Sequence, residues 1–134
     1  MVKIFPSCRL QGDGFSPVNA EKHTGLRLEV KQEPGEIAVR GRFAGRPAPF
    51  GSAVLRGDPK NREDATSEEV FLRLLDAHID SFRAVGATDI VIHLDVEYDT
   101  QCNLEFEPEF IAALHRIGLP VRVTCYASCS GPDA

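Results

Sequence analysis

Residues 89–99 read D-I-V-I-H-L-D-V-E-Y-D. Ile90, Ile92, Leu94, Val96 and Tyr98 take every second position, and Asp89, Val91, His93, Asp95 and Glu97 fall between them. Successive side chains of a strand point to opposite faces, so one face here is apolar and the other carries charge. A strand buried on both faces would be apolar throughout. The stretch therefore predicts a sheet with one covered face and one wet face. The rest of the chain must supply the cover.

Helical periodicity supplies it on both sides. Upstream, Val70, Phe71, Leu74, Leu75, Ile79, Phe82 and Val85 recur at helical spacing, Thr66 and Glu69 form a T-x-x-E capping box, and Gly86 ends the run. Leu74 and Ile79 are expected in the core. Downstream, a helix is predicted from Pro108 to Ile117, with Phe110, Ile111, Leu114 and Ile117 inward and Gly118 and Pro120 closing it. A third, short helix is expected after Ser16, with Ser16 as N-cap, Pro17 at the first helical position and Gly25 as a left-handed C-terminal cap.

The remaining strands are weaker. Val2 to Gln11 alternates, with Val2, Ile4, Pro6, Cys8 and Leu10 on one face. Pro6 has no N–H for a ladder bond and needs an edge or a bulge. Leu28 and Val30 alternate with charges as a short strand, E-P-G-E (33–36) is a turn, and Ile37 to Arg40 is expected to pair back. Gly41 to Ser52, with three glycines and two prolines, reads as a mobile loop, Ser52 to Gly57 as a short strand and P-V-R-V-T-C-Y (120–126) as the last one.

The order is strand, helix, short strands, long helix, strand, helix, strand. Its economical packing is an α+β two-layer sandwich of ferredoxin-like kind, with a mostly antiparallel sheet and helices on one face. Residues 1–126 are expected to form one α+β domain, and 127–134 a flexible C-terminal tail.

Composition narrows the class. With 134 residues, 43% hydrophobic and 26% charged, the chain is that of a soluble globular domain rather than a disordered one. No apolar run reaches the roughly 18 residues of a membrane span, and the N-terminus lacks a secretory h-region. Four cysteines without a C-x-x-C pair fit free thiols in a reducing cytoplasm, with Cys8 a small buried hydrophobe. The net charge of −5 argues against nucleic acid as a partner. It is unevenly spread. Residues 27–62 hold eight Lys/Arg against four Asp/Glu, whereas 88–110 hold seven carboxylates and no Lys/Arg. Such polarity can steer a protein partner or a second copy of the chain.

Ordered motifs resemble a known family. Q-G-D-G-F-S-P-V-N-A-E-K-H-T-G-L (11–26), E-P-G-E, Q-C-N-L-E-F (101–106) and P-E-F-I-A-A-L-H-R-I-G-L-P-V-R-V-T-C-Y (108–126) follow one another as in domain of unknown function 4279. The resemblance spans most of residues 2–126. The chain lacks the tryptophan that many members carry after the Gly-Glu turn, and Phe43 or Phe50 stands in its place. The resemblance implies a small bacterial α+β domain with no assigned activity and no catalytic residues to carry over.

Candidate functional groups are few. His93, Asp95 and Glu97 share a face at steps of about 7 Å, a row that can ligate a metal but that a solvated sheet face also produces. A zinc site would need further ligands, such as Asp99, Cys102 or His115. C-Y-A-S-C (125–129) has a metal-type spacing with no matching pair. His23 near a helix end and His78 among apolar neighbours suit structural roles. Q-G-D-G-F and the glycine-rich loop match no phosphate-binding signature, though Arg40, Arg42 and Arg46 could grip an acidic group.

No catalytic constellation and no cofactor motif emerges. The expected function is a non-catalytic protein-binding or accessory module, of immunity type. The alternative is a metal-binding or small-ligand domain using the His93, Asp95 and Glu97 face. A homodimer is also expected if Phe5, Arg9, Arg122 and Thr124 join that face, since arginines would then oppose carboxylates across a two-fold axis.

Overall fold

In the computed structural model, which describes residues 2–57 and 68–128, the chain forms an α+β fold. Its elements are β1 (Val2–Gly12), α1 (Pro17–Thr24), β2 (Glu29–Gln32), β3 (Gly51–Arg56), α2 (Glu68–Ala84), β4 (Asp89–Tyr98), α3 (Pro108–Ile117) and β5 (Val121–Ala127). The five strands make one mixed sheet in the order β2-β3-β1-β4-β5. The β2–β3, β3–β1 and β1–β4 pairings are antiparallel, and β4–β5 is parallel. A parallel neighbour needs a crossover, and α3 is that crossover.

Register explains the core. Cys8 lies between Leu55 and Ile92, and Leu10 between Ala53 and Ile90. All six are buried and form one cluster with Phe15, Ala20 of α1, Phe71, Leu75 and Phe82 of α2, and Phe110 of α3. The alternation in β4 thus selects one covered face, and the helices' buried residues gather on it. Pro6 is reconciled by the same register. It pairs with Leu94 of β4, but the β3 ladder begins only at Ser7, so the central strand is an edge at Pro6.

The short helix forms as its caps demand. The Ser16 hydroxyl accepts from the Asn19 N–H, Pro17 opens the helix, and Gly25 closes it at φ 72°. Two other glycines are required by packing. Gly12 and Gly51 face each other at the end of the β1–β3 ladder. A Cβ on Gly51 would overlap the Phe15 carbonyl oxygen, and one on Gly12 that of Gly86. The sheet end and two loops thereby touch backbone to backbone.

Four expectations are corrected. In α2 the buried residues are Phe71, Leu72, Leu75, Ile79 and Phe82, while Leu74 is half-buried and Val70 exposed. The inward stripe is rotated towards Leu72 because the helix meets both the sheet and its neighbouring helices. In α3, Phe110 and Ile117 are buried but Ile111 is 55% exposed. Ile37 to Arg40 does not pair back on β2. Ile37 bridges Pro47 and Ala38 bridges Ala44, so residues 33–50 fold on themselves as an excursion between β2 and β3 rather than an open loop. Finally, β5 extends to Ala127, into the stretch expected as tail. Thr66 of the capping box lies outside the described residues, as do residues 129–134. Among the described residues no helix is long and apolar enough to cross a membrane.

Candidate functional site

The two groups of candidate residues stand towards opposite ends of the strand order, one on β4 beside the edge strand β5 and the other beyond β2. His93, Asp95 and Glu97 project from β4 on the face away from the helices. Their neighbours in register are Ser7 and Arg122 for His93, Phe5 and Thr124 for Asp95, and Lys3 and Tyr126 for Glu97. Phe5, Arg9, Arg122 and Thr124 therefore do share this face, as the alternation requires. Val91 also lies there, yet it is only 7% exposed, beside Arg9 whose long stem suits it as a cover.

One ion pair on this face forms within a single copy. Arg9 pairs with Asp89 at 3.2 Å. Burial, helped by the Arg122 and Arg9 charges and opposed by Asp95, holds the His93 imidazole below its ordinary range and so favours its neutral form. Among the described residues no three His, Cys, Asp or Glu side chains come together to hold a metal ion. The β4 row remains spread along its strand.

Beside this row runs the sheet's open edge. Every residue of β5 is exposed. The Ile92 N–H donates to the Pro120 carbonyl at 3.0 Å and the Ser128 N–H to the Tyr98 carbonyl at 2.7 Å, which marks the two ends of the parallel ladder. Even-numbered peptide groups of β5 therefore face β4. Those of Val121, Val123, Cys125 and Ala127 face outward, where no described strand pairs with them. Val123 and Tyr126 are each 43% exposed. Sequence reasoning missed this edge because strand order is not encoded in periodicity.

Arg40, Arg42 and Arg46 sit beyond the other edge, on the excursion between β2 and β3. That excursion is closed by backbone bonds, among them Gly35 N–H to Ala48 O and Gly45 N–H to Ala38 O, both 2.8 Å. Against β2 it encloses a half-open cleft of about 470 Å³. Arg40 and Arg42 line it together with Phe43, Phe50 and Val30. Arg46 lies behind, donating to the Arg42 carbonyl at 3.1 Å. The aromatic pair was the missed signal: two phenylalanines interspersed with three arginines within residues 40–50.

The cysteines also regroup. Cys8 is buried, and its thiol is pushed up to about 12 by burial, with Arg9 pulling the other way. Cys102, on the segment between β4 and α3, comes within 3.9 Å of Cys125 on β5, Sγ to Sγ. No spacing rule joins residues so far apart in the chain. His23 and His115 are exposed, and His78 is half-buried. No protein-family model, no curated protein and no solved structure matches this chain.

Proposed function

We propose that this chain is a non-catalytic protein-binding module that takes an extended, basic segment of a partner as an added strand on β5. The observation that carries this reading is β5 itself, an edge strand exposed at all its residues with a row of outward peptide groups. Open edges are pairing templates that proteins ordinarily blunt, and strand addition is a common recognition mode. Charge selects the partner. The flanking segment contributes Asp95, Glu97, Asp99, Glu105, Glu107 and Glu109, against Arg122 on β5 and Arg116 on α3. Two copies joined at β5 would bring these acidic flanks together, and Arg9 already has its carboxylate partner, so a basic strand fits better than a homodimer.

The scaffold reading is a ferredoxin-like unit, a two-layer sandwich, extended by one crossover. It is supported by the order β2-β3-β1-β4 with every pairing antiparallel, joined as strand-helix-strand-strand-helix-strand. Kinship with domain of unknown function 4279 is part of the proposal. It is supported by the quoted motifs falling at the β1–α1 junction, the turn after β2 and the start of α3. The three described cysteines are free thiols, which supports a cytoplasmic setting.

The test is calorimetric titration with a synthetic peptide of alternating valine and lysine, beside one of alternating valine and glutamate. Only the lysine peptide should bind, more weakly as salt rises, and Val123→Pro should abolish binding. That substitution removes an outward N–H while leaving Arg122 and Thr124 to pair with β4. Equal binding of both peptides, or none of either, would overturn the reading. A dimer of the protein alone that Val123→Pro dissolves would give the edge to a second copy.

A further inference from the structure

The cleft at the opposite edge of the sheet is independent of the β5 reading, and its chemistry is unlike a wet loop. Phe43 and Phe50 meet edge to face with ring centroids 5.8 Å apart. Arg42 and Arg46 each place their guanidinium carbon 5.7 Å from the Phe43 centroid. Stacking of this kind holds a guanidinium in place without neutralising it. Among the described residues, no carboxylate forms an ion pair with Arg40, Arg42 or Arg46. Lys31, which also lines the cleft, is paired with Glu21 at 3.0 Å, and Arg56 of β3 with Glu29 at 2.9 Å.

The backbone shapes the opposite wall. The β2–β3 register shifts between Glu29 and Gln32, and the bulge holds Val30 at φ 52°. A β-branched residue pays for that left-handed conformation, and such strain gathers at binding sites. The consequence here is that Val30 lines the cleft, and Ser52 adds a polar group. The volume falls within the range of small-molecule sites, which are mostly apolar with a few placed polar groups. An apolar interior accepts a hydrocarbon body. Two unpaired guanidiniums on the wall accept a carboxylate or phosphate by forked hydrogen bonds.

We propose that the cleft between β2 and the 33–50 excursion binds a small organic anion, its apolar body against Phe43, Phe50 and Val30 and its anionic head on Arg40 and Arg42. The test is fluorescence titration of the whole chain with 1-naphthyl phosphate, alongside inorganic phosphate and 1-naphthol. The naphthyl anion should bind saturably at one site, at least about tenfold more tightly than either fragment. Added salt should weaken it, and the double variant Arg40→Gln, Arg42→Gln should lose at least about tenfold in affinity with its far-ultraviolet circular dichroism unchanged. 1-Naphthoate, with the same body and a carboxylate head, distinguishes the two head groups, and tight binding of either supports the proposal. Three results would overturn it: no saturable binding below about 1 mM, equal affinity for naphthol, or a folded double variant that binds like the parent. Loss of peptide binding at β5 would leave this site untouched, so the two readings fail separately.

Discussion

Cys8 lies at zero exposure between Leu55 and Ile92, and its thiol needs a pH near 12 to ionise. At pH 8 its thiolate fraction is on the order of 10⁻⁴, and the thiolate is the reactive form. Iodoacetamide at that pH should label Cys102 and Cys125 in the folded protein and leave Cys8 untouched until denaturant is added. Labelling of Cys8 at the rate of Cys102, read by peptide mass spectrometry, would contradict its place in the core. His93 gives a residue-scale prediction with the opposite chemistry. Its folded pKa lies below the ordinary 6.5, chiefly through burial and then Arg122. The unfolded chain thus binds the proton more readily. The neutral form's contribution to stability is complete above 6.5 and is lost as pH falls from there towards the folded value. As pH falls below the ordinary imidazole value, the parent should lose stability faster than His93→Gln in urea titrations. The His93 row was legible because period two places its members on one face. The Cys102–Cys125 approach was not, since it depends on how the segment after β4 returns across the parallel ladder.

Helix phase decides the next scale. A stripe read from spacing alone admitted both Leu74 and Leu75 in α2, one position apart and about 100° around the helix. Packing against β1, α1 and α3 leaves Leu75 fully buried and Leu74 half-buried. Leu75→Ala should cost about 2–5 kcal/mol, and Leu74→Ala distinctly less, as compared by chemical-denaturation midpoints. Equal losses would mean that the helix is rotated from the position described. The existence of α1, α2, β1 and β4 was legible because caps and alternation are local. The fate of Ile37 to Arg40 was not. Its partners, Ala44 and Pro47, lie on the far side of a turn, and no periodicity within 37–40 points to them. Between elements, the thiols of Cys102 and Cys125 are close enough for a cross-link to need only local adjustment. Diamide, which accepts the two protons and two electrons that two thiols release on forming a disulfide, should join them in preference to Cys8. Peptide mapping that found Cys8 in the product would argue against the described arrangement.

At the scale of the whole molecule, the sheet separates what the sequence had already polarised. The cation-rich excursion flanks β2, and the carboxylate-rich segment flanks β4 and β5, with three strands between β2 and β5. That separation could not be read from composition, because it follows from strand order. It also sets a pattern of backbone protection. From Ser7 to Gln11, β1 is paired on both sides, and Cys8, Leu10 and Ile92 have no exposure. Their amides should open only with global unfolding and exchange most slowly. On β5 the expectation alternates: Arg122 and Thr124 face β4 and should be protected, whereas Val121 and Val123 face the open edge and should exchange at close to free-chain rates. Residue-resolved hydrogen exchange by NMR reads this pattern directly. If the Val121 and Val123 amides proved as slow as their neighbours in the free protein, the edge would already be covered and could not receive a partner strand. If they slowed only when the valine–lysine peptide was added, the same two amides would mark where the added strand pairs.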